Sequence, residues 1–192
     1  MDAFNPVRCA WCLRSPEEIL YHDTEWGVPL HDERKLFEFL LLDTFQPGLS
    51  WTTIIRKRQN FRDAFCQFDP EMVAAMKESD VLLLMQNPGI IRNRSKIQGA
   101  ITNARAFLNV QKMPGGFNHF IWQFTNEKTL QNQIKPGQTI PTVSFESECM
   151  SREMRKLGFA FAGPVVCYAF MQAIGMVNDH STDCFRHAQL LS

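Results

Sequence analysis

The sequence predicts an all-α protein. Helix-start signals and helical periodicity recur about eight times along the chain, strand signals are weak throughout, and no repeat or low-complexity segment interrupts them. The composition suits a globular chain: of 192 residues, 45% are hydrophobic, 21% are charged and 16 are Phe. A chain of this length buries a core without staples, so one domain over 1–192 is expected, with room for two helical lobes.

Each element carries its own signal. Ser15-Pro16-Glu17-Glu18 starts the first helix: Ser15 caps, Pro16 takes the first helical position, and Glu18 completes a capping box. That helix carries Tyr21 and His22 and runs out at Trp26-Gly27. His31-Asp32 opens the next. Its Leu36, Phe37, Phe39, Leu40, Leu41 and Leu42 are too dense for one face, which predicts a central, buried helix. Asp43 stands near its end. Pro47 lacks an amide donor and Gly48 tolerates positive φ, so the helix breaks there.

Ser50 caps a further helix that starts at Trp51 and carries Ile54, Ile55, Phe61 and Phe65, with Arg56-Lys57-Arg58 expected to project between them. Asp69-Pro70-Glu71 repeats the cap-then-Pro signature, Ser79 is expected to start a short helix, and Asn87-Pro88-Gly89 makes a turn. The spacing of Ile97, Ile101, Ala104, Phe107 and Leu108 predicts a long helix from about 93 to 112. Gly115-Gly116 separates it from an aromatic segment, 117–124. The polar stretch 126–143, with Pro136, Gly137 and Pro141, reads as a long loop or lobe connection. Ser144 caps a helix ending at Leu157-Gly158, and 159–164 reads as a hairpin-like link. The next helix runs from Pro164 to about Ile174, and Gly175 ends it. The tail, Asn178-Asp179-His180-Ser181-Thr182-Asp183-Cys184, is polar.

The formal net charge is zero, so any nucleic-acid role must rest on local patches. Met1-Asp2-Ala3-Phe4-Asn5-Pro6 has neither a basic nor an apolar leader region, and no apolar run approaches the roughly 18 residues of a membrane span. A cytoplasmic protein without a membrane partner is expected. The six Cys then read as reduced thiols or metal ligands.

Three groups of residues can carry chemistry. At the chain ends, Cys9 and Cys12 precede His22, while His180, Cys184 and His187 cluster near the other terminus. Zinc favours thiolate and imidazole in a tetrahedral shell, and six candidates exceed four places. Basic residues gather at Arg56-Lys57-Arg58, at Arg92-Asn93-Arg94-Ser95-Lys96, and at Arg152, Arg155 and Lys156. The middle set follows a tight turn into a helix start, which offers amides and charge to a phosphate. The link 158–164 has a similar Gly-rich geometry opening a helix. The third group sets Asp43 and Trp51 with Tyr21, His22, Trp11 and Trp26. Aromatic rings beside one carboxylate suit a flat, nitrogen-bearing ring, although an aromatic core is the commoner arrangement.

The order and spacing of these segments resemble one family. Arg8-Cys9-Ala10-Trp11, Tyr21-His22-Asp23-Thr24-Glu25-Trp26-Gly27-Val28-Pro29, Gln46-Pro47-Gly48-Leu49-Ser50-Trp51, the block from Gly89 to Ile97, Gly158-Phe159-Ala160-Phe161-Ala162-Gly163-Pro164, the block from Cys167 to Ala173, and Asn178-Asp179-His180 with Cys184 look like the DNA-3-methyladenine glycosylase I family. The resemblance implies a helix–hairpin–helix glycosylase fold and a monomer that acts on double-stranded DNA containing alkylated adenine and releases free 3-methyladenine. It implies hydrolysis without lyase activity and a bacterial, cytoplasmic setting. It also implies a structural zinc (Zn2+) on Cys9, His22, His180 and Cys184, with Cys12 and His187 as bystanders. By the same resemblance Tyr21, Trp51 and Asp43 form the base pocket, with Asp43 as its catalytic acid. Leu49 enters the duplex, and the phosphate grip falls near Gly163.

The chain departs from the family at Asp43-Thr44, where a Glu followed by a Gly is usual. Asp is one methylene shorter, so a bond to the base stretches by about an ångström unless the backbone shifts or a water bridges. Altered specificity, or a DNA-binding homologue with weakened catalysis, is the competing expectation. A zinc-stapled interaction protein without a DNA role is a third.

Overall fold

The computed structural model describes residues 6–191, so the first five residues of the leader reading and the last residue of the 1–192 unit lie outside it. A 3-10 turn at Ala10–Arg14 leads into α1 (Pro16–Thr24), α2 (Glu33–Phe45), α3 (Trp51–Arg56) and α4 (Arg58–Ala64). Next come α5 (Pro70–Ala74), α6 (Glu78–Gln86), α7 (Arg94–Gln111) and α8 (Gly116–Trp122). β1 (Leu130–Gln131), α9 (Phe145–Lys156), α10 (Pro164–Ala173), β2 (Val177–Asn178) and α11 (Phe185–Gln189) complete the order. The all-α prediction holds. The two short strands pair in parallel, Leu130 with Val177 and Gln131 with Asn178.

The caps fall largely where the sequence places them. Ser15, Asp32, Ser50, Asp69, Asn93 and Ser144 each accept a backbone amide at a helix start. Every residue of α2 from Leu36 to Phe45 is buried, as its dense apolar run predicts. It lies against α7 and α10, and Phe37 meets Phe107 at 5.0 Å between ring centroids.

Four expectations need correction. The expected capping box at Ser15 is half formed, because the Glu18 carboxylate instead accepts the Thr52 hydroxyl at 2.6 Å. The helix from Trp51 divides at Lys57, which caps α3. Arg58 does not project. Its guanidinium reaches Glu38 at 2.6 Å and Glu25 at 2.7 Å, and lies over the Phe39 ring at 5.1 Å. The helix expected at Ser79 starts at Glu78, and the Asp80 carboxylate accepts the Lys77 amide at 2.7 Å. The polar tail lies inside the fold, with Asn178, Asp179, His180 and Cys184 all buried. Pairing of β2 with β1 and an isolated bridge from Ile134 to Ser181 draw this segment inward. The chain ends also meet, where the Phe185 amide donates to the Val7 carbonyl at 3.0 Å. Among the described residues, no helix is long and apolar enough to cross a membrane, and all six cysteines are free thiols.

Candidate active site and metal cluster

α2, the turn after it and α3 make one wall of a cavity of about 260 Å³. Trp11, Tyr21, Trp26, Asp43, Gln46 and Trp51 line it, with Gln172 of α10 and the 140–142 segment closing the remaining side. The volume lies slightly below the usual range of about 300–1,000 Å³ for drug-sized ligands, which suits one planar base. Tyr21 and Trp51 sit 5.1 Å apart at 45°. That is less than roughly twice the ~3.5 Å ring contact distance, so no base fits between them and they form one continuous aromatic surface. Trp11 meets Trp26 edge-on at 4.9 Å and Tyr21 at 6.4 Å.

Three polar atoms in this lining are sealed without a hydrogen-bond partner: Asp43 Oδ2, Trp11 Nε1 and Trp51 Nε1. Buried polar atoms are normally satisfied, and an orphan costs about 1–3 kcal/mol. Three of the five such side-chain atoms among the described residues belong to this one lining. Burial alone pushes the Asp43 carboxyl well above the usual carboxylate range. Its environment therefore favours a proton, or a cation, against it. Burial likewise raises the Tyr21 phenol, aided by the Asp43 charge. Thr44 is accommodated inside the helix, buried, with its hydroxyl donating to the Leu41 carbonyl at 2.8 Å.

The second cluster adjoins the cavity, where the His22 and His180 rings pack on Trp26 at 6.2 and 4.6 Å between centroids. Cys9, His22, His180 and Cys184 are all buried, and their donor atoms lie within 4.8 Å of one another. Cys184 Sγ is 3.5 Å from His22 Nε2 and 3.6 Å from His180 Nδ1, Cys9 Sγ is 3.7 Å from His180 Nδ1, and the two nitrogens are 3.1 Å apart. A tetrahedron built on bonds of about 2.0–2.3 Å has edges of roughly 3.3–3.8 Å; the three sulfur–nitrogen distances fall in that range, while the full set spreads to 4.8 Å, so the donors could hold a metal ion with small adjustment. Both rings are oriented from behind. His22 Nδ1 meets Asp23 at 2.8 Å, and His180 Nε2 meets the Trp26 carbonyl at 3.0 Å. Asp23 is itself held by Arg8 at 2.8 Å. Such backing partners fix the ring nitrogen that faces a metal. A hydrogen bond from Cys9, with the two imidazoles in contact, holds the Cys184 thiol down, while the same Cys184 contact and burial push Cys9 up. Cys12 turns away, donating to the Cys9 carbonyl at 3.1 Å, and His187 Nε2 meets the Asn132 carbonyl at 3.2 Å.

A sequence model described as methyladenine glycosylase matches residues 11–187. The chain belongs to the methyladenine glycosylase family. It is 48% identical over 177 residues to the DNA-3-methyladenine glycosylase 1 of Escherichia coli, covering 92% of this chain and 95% of that protein. It is 44% identical over 178 residues to the DNA-3-methyladenine glycosylase of Haemophilus influenzae, covering 93% and 96%. A crystal structure of 3-methyladenine DNA glycosylase I superimposes with a TM-score of 0.90 at 48% identity, covering 93% of this chain and 98% of that one. A Staphylococcus aureus member, described for its recognition of 3-methyladenine, superimposes at 0.89 with 34% identity, covering 93% and 95%.

The fold expected of the family is therefore present. The structure gathers Tyr21, Asp43 and Trp51 in one cavity, and Leu49 stands partly exposed, 38%, on the turn beside it. Gly163 caps α10, and a Cβ there would lie 3.4 Å from Arg155 Nη2. The hairpin before it is held from two sides. Asn103 of α7 exchanges two hydrogen bonds with Ala160, at 2.7 and 3.2 Å, and Ser151 donates to the Ala162 carbonyl at 2.6 Å.

Sequence reasoning missed Gln46, Gln172 and the 140–142 segment as cavity walls. The segment read as a lobe connection supplies Ile140, Pro141 and Thr142, and only its Pro and Gly content hinted at a fixed path. Of the basic clusters, part of the charge is already engaged: Arg58 as above, Lys96 buried on backbone carbonyls, and Arg94 in a surface ion pair with Glu78.

Proposed function

We propose that the chain is a base excision repair enzyme that hydrolyses the N-glycosidic bond of 3-methyladenine in alkylated duplex DNA and releases the free base. The observation that carries this reading is the sealed, unpartnered Asp43 carboxyl in an aromatic cavity of a family member. Methylation at N3 places a positive charge on the base, which weakens the glycosidic bond and makes the base a good leaving group. The enzyme then needs to extrude the nucleotide, hold it, and let water attack an oxocarbenium-like sugar. Extrusion costs a few kcal/mol, least for a damaged base. The aromatic surface of Tyr21 and Trp51 offsets part of that cost by stacking on a cation.

Asp43 is the acid that reads the base. An ionised carboxylate is disfavoured in the empty cavity, and a cationic base restores the balance that neutral adenine cannot. Leu49 enters the duplex where the base leaves, and the start of α10 at Gly163 takes a backbone phosphate. Hydrolysis without a lyase step is favoured because Lys96, the buried lysine nearest to this turn, has its amine engaged by two carbonyls.

Cys9, His22, His180 and Cys184 are the residues that would hold a zinc ion. With four protein donors its contribution is structural, tying the first helix to the C-terminal segment. The chain acts as a monomer and as one glycosylase domain in a bacterial cytoplasm.

The shorter acid supports a second reading, a homologue of weakened or altered specificity. Release of 3-methyladenine from methylated DNA by the purified protein tests the main reading, and its absence overturns it. Comparison with Asp43→Glu separates the two: activity gained only by the Glu variant favours the second, and undiminished wild-type activity removes it.

A further inference from the structure

Lys96 is a cation in the first turn of α7 with no acid beside it. Its residue is 9% exposed, and its Nζ donates to the Phe45 carbonyl at 2.8 Å and to the Pro47 carbonyl at 2.6 Å. No carboxylate pairs with it among the described residues, and burial alone pushes its amine pKa down. A buried cation without a counter-ion is costly, so its two carbonyl partners must be worth holding. Phe45 ends α2, and Pro47 belongs to the turn that presents Leu49. That turn has little else to fix it. The Leu49 amide donates to the Gln46 carbonyl at 2.8 Å, Gly48 has φ +84°, and a Cβ at Gly48 would meet nothing within 4 Å. The Lys96 bonds are its only long-range hydrogen bonds among the described residues.

We propose that Lys96 is a positioning residue for base extrusion: it braces the Pro47–Leu49 turn against α7 so that Leu49 holds its place when duplex DNA presses on it. The inference rests on the reading that Leu49 enters the duplex. The Asp43 shift arises from burial without any contribution from Lys96, so loss of the Lys96 charge leaves the reading of the base itself untouched.

The test compares wild type, Lys96→Met, Leu49→Ala and the double variant in single-turnover release of 3-methyladenine from duplex and from single-stranded methylated DNA. Binding of free 3-methyladenine is measured beside it. In Lys96→Met, duplex release is expected to fall by about ten- to a hundredfold, the scale of a misplacement near an ångström. Single-strand release, which needs no extrusion, and free-base binding are expected to change less than about twofold. The double variant should be no slower than the slower single one, since both lose the same device. Equal loss on both DNA forms, or equal loss of free-base binding, makes Lys96 merely structural and overturns the proposal, as does unchanged duplex release. If Leu49→Ala spares duplex release, the wedge reading itself fails. If Leu49→Ala shows the duplex-only loss and Lys96→Met does not, the Lys96 proposal fails alone. Lys96→Gln, which retains one donor, carries the same comparison if the Met variant does not fold.

Discussion

The Cys–His cluster and the aromatic cavity are neighbours that treat buried polar atoms in opposite ways. Adjacent residues of α1 belong to them, His22 to the cluster and Tyr21 to the cavity. Trp26 serves both, its ring lining the cavity and its carbonyl meeting His180. In the cluster, each ring nitrogen that does not face the other donors has its own partner. In the cavity, a carboxylate oxygen and two indole N–H groups have nothing. A closed set of donors serves stability, whereas open ones store unfavourable energy that a ligand releases. On the proposed function, the cavity takes the base and the cluster serves as the frame behind it.

The largest effect that can break this contrast comes from the frame. Removing one ligand with His22→Ala or Cys184→Ala, or stripping the metal with a chelator, is expected to cost more than about 5 kcal/mol and to abolish cooperative thermal unfolding. A chelated protein that melts as before would show the cluster to be four ordinary buried side chains. Trp51→Ala comes next. Loss of its stacking face should weaken free 3-methyladenine by about ten- to a hundredfold, near the 1–3 kcal/mol typical of one base on one ring. Thermal melting should fall by less than for a metal-ligand variant, because Trp51 is half-buried and packs on the core from its edge.

Asp43 provides a subtler test in pH. Its proton is held more tightly in the folded chain than in the unfolded one. Below the ordinary carboxylate value of about 3.9, both states are protonated there and Asp43→Asn gains nothing. As pH rises, the unfolded chain releases that proton first, so wild type loses stability relative to the Asn variant. Melting curves from pH 4 to 8 should therefore show a gap that widens upward; a gap that widens toward acid contradicts an unpartnered Asp43. The smallest effect is expected at Cys12. Cys12→Ala should cost about 1 kcal/mol of packing and leave metal stoichiometry unchanged, since its thiol faces the Cys9 carbonyl.

The same contrast separates what the sequence reveals from what it hides. Local chemistry was legible: Asp32, Ser50, Asn93 and Ser144 cap where their spacing predicts, and the dense run in α2 is central. The corner joining Asp43 to Trp51 follows from Pro47 and Gly48, whose effects are confined to a few residues. Long-range pairing was not legible. Arg58 looks like a projecting charge until Glu25 and Glu38 are brought to it. The polar tail carries no sign of its burial, which depends on β2 finding β1 across more than forty residues. Pattern alone left six metal candidates, and resemblance chose four. The structure accounts for that choice locally, because the 3-10 turn at Ala10–Arg14 directs Cys12 back to its own backbone. Lys96 read as part of a basic surface patch, and its burial depends on two carbonyls about fifty positions earlier.

The central claim is that the unpartnered acid of the cavity serves the substrate rather than the fold. Single-turnover release of 3-methyladenine from methylated duplex DNA, measured at neutral pH for wild type and Asp43→Asn, tests it most directly. The account predicts a fall of about a hundredfold or more in the variant, as for removal of one preorganised electrostatic group, with a melting temperature no lower than that of wild type. A variant that releases the base at the wild-type rate would contradict it.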